Sequence, residues 1–165
     1  MIFEHLIKEN KEAFLSKVRE ICQYLSIDPD WLMLVMWFET ARTFRTDIVN
    51  PVSKAVGLIQ WMPKTARSLG TTTEALKLMS NVEQMDYVKR YLSPYRGKMK
   101  NWLDVYCAVF YPVLIGKPDS YVIDREIVAK QNPVFDLNKD LKIHKWEIRQ
   151  ALQKSIPNEY KHLFL

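Results

Sequence analysis

A chain of 165 residues that is 48% hydrophobic and 26% charged can bury one sizeable core and has little length for a second. That balance excludes a disordered chain, and 4 Gly with 8 Pro exclude a collagen-like or low-complexity repeat. Lys and Arg number 24 against 19 Asp and Glu, and the net charge of +5 suits a nucleic acid, an anionic membrane surface or a bacterial cell wall without choosing among them. The amino-terminal stretch is charged every few residues and lacks an apolar h-region, so no signal peptide is expected. Apolar residues at Phe14, Leu15, Val18, Ile21, Cys22 and Leu25 recur at steps of three and four and predict an amphipathic helix. Asp28 reads as an N-cap with Pro29 at the first helical position, opening a segment over residues 31–38 that is apolar on every side. Such a helix belongs in the middle of a core. It is too short to span a bilayer, so a soluble chain is expected.

Residues 42–55 read as a loop with a turn at Asn50-Pro51. Pro63 starts a short helix that stops at Gly70, Thr71 and Glu74 form a capping box for the next, and Asn81 with Gln84 marks a third that runs to about Tyr95. Residues 102–109 are again helical and apolar, with Pro112 expected to end or kink that helix, and another helix starts near Lys145. No alternating run, internal repeat or linker appears. The expectation is one mainly α domain over residues 1–165. Cys22 and Cys107 lie on apolar helical stretches and are expected as reduced core residues.

Glu39 closes the apolar helix, and it is the first residue to suggest chemistry. Burial disfavours its charge, and a carboxyl held protonated near neutral pH can act as a general acid. The alternative is a glutamate that reaches the surface or pairs with Arg42 or Arg45. Downstream stand Gly57-Leu58-Ile59-Gln60, then Met62-Pro63-Lys64-Thr65-Ala66, closing on Leu69-Gly70. With Glu39-Thr40, this order and spacing resemble the lytic transglycosylases of the goose-type lysozyme-like superfamily. The likeness covers about residues 12–115. Thr40 replaces the family's Ser, Ile59 its Met, and Val105-Tyr106-Cys107-Ala108-Val109 stands where the family has Ala-Tyr-Asn-Ala-Gly, so Tyr106 carries over and the Asn does not. Asp104 and Tyr106, with Phe110-Tyr111-Pro112 and Ile115 to Pro118, look like the phage-borne branch.

The resemblance implies a lysozyme-like helical fold and cleavage of the β-1,4 bond between N-acetylmuramic acid and N-acetylglucosamine in peptidoglycan. It makes Glu39 the lone acid and base, with 1,6-anhydro ends as product, and places Thr40, Ile59, Gln60 and Tyr106 at the sugar. No cofactor is required for catalysis on this reading. It also implies action on the cell wall by an enzyme made in the cytoplasm, released by a holin or carried in a virion, and monomeric if an endolysin. Asp47 is the nearby acid that would position water in a hydrolytic muramidase instead. A non-catalytic cell-wall-binding or tail protein is the further alternative. Nucleic acid is not expected as a partner, because the charges are interleaved along helices and no nucleic-acid-binding motif occurs; nor is stable membrane insertion.

Near the carboxy terminus, Asp136, Asn138, Asp140, Lys142 (through its carbonyl) and Glu147 take the ligand positions of a twelve-residue loop resembling an EF-hand, with Ile143 at its apolar position. The resemblance implies structural calcium, expected to lie remote from Glu39. Leu141 occupies the position that turns through positive φ and favours Gly, which weakens binding. The alternative is a metal-free loop that caps the following helix. His5, His144 and His162 have no spacing that suggests zinc.

Overall fold

The structure is a computed structural model that describes residues 1–165. Helix α1 (Lys11–Leu25) buries the predicted stripe from Phe14 to Leu25 and ends where Ser26 turns left-handed. Helix α2 (Pro29–Glu39) starts as the sequence predicts: the Asp28 carboxylate accepts the Asp30 N–H at 2.8 Å, with Pro29 at the first position. Its residues 32–37 are all buried, which is why the segment is apolar on every face. Short helices α3 (Pro63–Ser68) and α4 (Thr73–Leu78) lead into α5 (Asn81–Leu92) and then α6 (Trp102–Phe110). Helix α5 packs on α1, and α2 lies against both α1 and α6.

Two predicted caps move by one residue. Thr72, not Thr71, caps α4 by accepting the Ala75 N–H at 3.1 Å. Ser80 and Glu83, not Asn81 and Gln84, form the capping box of α5, with reciprocal bonds of 3.2 and 2.7 Å. The reason is tertiary. Asn81 donates to the Glu9 carbonyl at 2.8 Å and so ties α5 to the residues before α1, while Gln84 is drawn inward to a role described below.

The carboxy-terminal segment carries structure that hydrophobic periodicity does not reveal. Strands β1 (Val122–Ile123) and β2 (Ile143–His144) pair antiparallel, Val122 opposite His144 and Ile123 opposite Ile143. Each is followed by a helix, α7 (Glu126–Gln131) and α8 (Lys145–Ser155). Strands of two residues are too short to show an alternation. Lys145 fastens this segment to the rest: its side chain is 4% exposed, and its ammonium donates to the carbonyls of Leu114 at 2.9 Å and Lys117 at 2.7 Å, with the Asp104 carboxylate 3.6 Å away. One cluster of 42 buried apolar residues runs from Ile2 to Phe164. Cys22 and Cys107 are buried free thiols within it, each pushed up to about 12 chiefly by burial. No helix is long and apolar enough to cross a membrane.

Candidate active site

At the end of α2 the chain reverses sharply, and this decides what surrounds Glu39. The Thr40 hydroxyl donates to the Met36 carbonyl at 2.7 Å and accepts the Phe44 N–H at 2.8 Å. Ala41, Arg42 and Phe44 all hold positive φ. The tight exit carries both nearby guanidiniums away from the carboxylate. Arg42 lies over the Trp37 ring at 5.0 Å, and Arg45 grips Asp47 through bonds of 2.9 and 3.0 Å. The expected alternative of a Glu39 ion pair is therefore not realised.

Glu39 is left half-buried on the floor of a cleft of about 750 Å³. Loss of water alone raises its pKa from 4.5 to about 8. Of the 18 residues that line the cleft, Glu39 is the one acidic side chain, and no Lys, Arg or His joins it. Asp47 faces a different hollow, and its partner Arg45 holds it below the usual carboxylate range. A single protonated carboxyl open to a ligand can donate a proton and later take one back.

Tyr106, on α6, lies beside it. Its ring meets Phe38 and Phe135 edge-on at 6.1 and 6.0 Å, and burial together with the neighbouring Glu39 keeps its hydroxyl protonated far beyond neutral pH. Gln60 enters from a looped hairpin in which Val56 bridges both Val49 and Trp61. The turn needs positive φ at Gly57 and at Gln60. The amide nitrogen of Gln60 is used internally, donating to the carbonyls of Gly57 at 3.1 Å and Ile48 at 3.3 Å, which presents its oxygen as the acceptor for a ligand. The cleft thus brings together Glu39, Gln60 and Tyr106. Thr40 and Ile59 are 0% and 2% exposed and stand in the packing behind it.

Two positioning residues escape the sequence reading. Gln84 is fully buried; its oxygen accepts the Leu58 N–H at 3.0 Å, and its nitrogen donates to the carbonyls of Thr46 at 2.8 Å and Leu76 at 2.7 Å. One amide thereby joins the exit from α2, the turn that carries Gln60, and the end of α4. A Cβ on Gly57 would stand 2.7 Å from its oxygen, so that glycine is required by contact as well as by φ. The signal was present, since Gln84 shares the buried face of α5 with Val88 and Leu92. Tyr91 on the same helix donates to the Ala108 carbonyl at 2.8 Å, and burial, with smaller contributions from Tyr95 and Glu39, raises its pKa to about 12.

Comparison with protein-family models, with curated proteins and with solved structures finds no match to this chain.

Phe135, the residue before the loop at residues 136–147, lines the cleft, and none of the loop's own residues does. Asp136 accepts the N–H groups of Asp140 and Leu141 at 3.1 and 3.2 Å, and Asp140 accepts that of Lys142 at 3.0 Å. Glu147 is fully buried and accepts from Leu137, Asn138 and His144 at 2.9, 3.1 and 2.8 Å. Leu141 holds φ 62°, the conformation that its position demands. Oxygen donors of the kind calcium prefers are present, and the loop's own N–H groups hold their carboxylates. No three His, Cys, Asp or Glu side chains converge as a metal cluster.

Proposed function

We propose that this chain is a peptidoglycan-degrading glycosidase of lysozyme-like, goose-type fold, cleaving the β-1,4 bond between N-acetylmuramic acid and N-acetylglucosamine as a lytic transglycosylase. The observation that carries the reading is one unpaired carboxyl, raised to about 8, in a cleft whose lining has no other charge. Enzymes that use two carboxyls need the second within reach of the same bond, whereas substrate-assisted ones recruit the sugar's N-acetyl oxygen. With Asp47 bound to Arg45 in another hollow, the one-acid route is the economical reading. A nucleic acid fits the cleft poorly, because no cation lines it.

In this mechanism Glu39 gives its proton to the glycosidic oxygen as the C1–O4 bond breaks, while the N-acetyl oxygen closes on C1. The resulting carboxylate takes the proton of the 6-hydroxyl as O6 displaces the N-acetyl oxygen, and Glu39 ends as it began. Tyr106 and the Gln60 oxygen hold the sugar in register. Mass spectrometry of muropeptides after digestion of purified peptidoglycan is the test. Anhydro ends support transglycosylation, reducing ends mean a hydrolytic muramidase, and no release means a binding protein. The loop at residues 136–147 is read as an EF-hand-like calcium site with Asp136, Asn138, Asp140, the Lys142 carbonyl and Glu147 as ligands, structural and weak.

A further inference from the structure

The cleft has a wall that lies outside the stretch carrying the likeness to lytic transglycosylases. Helices α2 and α6 supply its floor with Phe38, Glu39, Tyr106 and Phe110, and the hairpin loop supplies Asn50, Ser53, Gln60 and Met62. The remaining side is built by the carboxy-terminal segment: Gln131 and Asn132 at the end of α7, Val134 and Phe135 in the turn that follows, and Leu152 and Ser155 on α8.

This wall is held firmly. Phe135 is buried and packs edge-on against Phe110 at 5.2 Å as well as against Tyr106. Glu147 clamps the N–H groups of Leu137 and Asn138 just beyond it, and Lys145 anchors the start of α8 to the core. Its ligand-facing chemistry is equally defined. Asn132 spends its amide nitrogen on the Val128 carbonyl at 2.9 Å, which leaves its oxygen as an acceptor. Gln131 is exposed, and Val134 is 64% exposed at the rim. Two amides, a hydroxyl and apolar side chains without charge match a neutral sugar that bears hydroxyl and N-acetyl groups.

We infer that residues 131–155 form a glycan-binding wall, in which Gln131 and Asn132 hydrogen-bond an N-acetylhexosamine whose apolar face rests on Val134. The inference rests on the glycan-cleaving reading and adds to it the residues of the carboxy-terminal segment that grip the glycan. The carboxy-terminal segment is thereby part of the binding apparatus.

The experiment is a calorimetric titration of tetra-N-acetylchitotetraose into the full chain carrying Glu39→Gln, so that binding is read without turnover. Adding Gln131→Ala is expected to weaken the dissociation constant about three- to tenfold, the loss of one or two ligand hydrogen bonds. Gln131 is exposed and its side chain bonds to nothing else in the protein, so folding is untouched. Asn132→Ala should weaken binding at least as much, although it also removes the bond to Val128. Gln150→Ala, an exposed amide on α8 outside the cleft, should bind like the parent. Equal affinity of the Gln131→Ala and Gln150→Ala proteins would overturn the wall, as would a parent that does not bind the tetrasaccharide. The catalytic reading fails separately, by absence of muropeptide release from peptidoglycan with the native chain.

Discussion

The carboxyl of Glu39 is protonated at neutral pH because water is withheld from it and nothing else compensates its charge. Glu39→Gln keeps the shape and loses the proton, so turnover should fall by about 10²–10⁴-fold, the usual contribution of general acid catalysis. Its pH signature follows from linkage. Below pH 4.5 the carboxyl is protonated in folded and unfolded chains alike; between 4.5 and about 8 only the unfolded chain ionises; above that both do. The stabilisation that Glu39 contributes is therefore lost as pH rises through this window, a loss that Glu39→Gln does not share. Melting curves of the two proteins from pH 4 to 9 should diverge, and the activity of the native chain should decline above about pH 8. Parallel curves would mean that Glu39 is solvated. On the proposed reading Tyr106→Phe and Gln60→Ala each remove one sugar contact, so each should cost activity by less than Glu39→Gln does, seen mainly in KM. Unchanged kinetics in both would remove them from the site.

Among the elements, the turn that carries Gln60 depends on a residue one helix away. Gln84→Met keeps the bulk but strands the Leu58 N–H and the carbonyls of Thr46 and Leu76, at a cost of about 1–3 kcal/mol for each buried group left unpaired. Gly57→Ala drives a Cβ into the same amide. Both should lower the melting temperature and also reduce turnover in the protein that remains folded, checked by thermal denaturation alongside kinetics. In the loop at residues 136–147, Leu141→Gly should tighten calcium binding about tenfold by relieving roughly 1–2 kcal/mol of left-handed strain. A calcium titration monitored by calorimetry, with no heat for either protein, would leave those carboxylates as backbone caps alone. These examples also show what was legible beforehand. Helices α1, α2 and α6 follow from apolar spacing and from Asp28-Pro29, and Glu39 from its place at the end of an apolar run. The caps of α4 and α5 were misplaced by one residue because Thr71, Asn81 and Gln84 are as good by type as their neighbours. Only long-range bonds separate the two registers. The second cleft wall could not be read at all, since nothing local to Gln131 or Leu152 announces that they line the same cleft as Glu39.

For the molecule as a whole, charge and cleft are divided. No cation lines the cleft, so the surplus of +5 lies elsewhere on the molecule. Attraction to an anionic cell wall should therefore weaken with salt as the Debye length falls to about 8 Å near 0.15 M, while cleavage of short neutral fragments should not. Measuring both rates against sodium chloride separates the contributions, and an equal salt response would place charge inside the cleft. The buried ammonium of Lys145 has a mechanical consequence. Swinging the carboxy-terminal wall outward would pull it from the Leu114 and Lys117 carbonyls and from Asp104, and stranding a buried charge in this way costs about 3–5 kcal/mol. The cleft is therefore a fixed jaw with no hinge on that side. On the proposed reading a glycan strand enters the cleft without waiting for a gate on that side, so its association rate should not plateau as strand concentration rises.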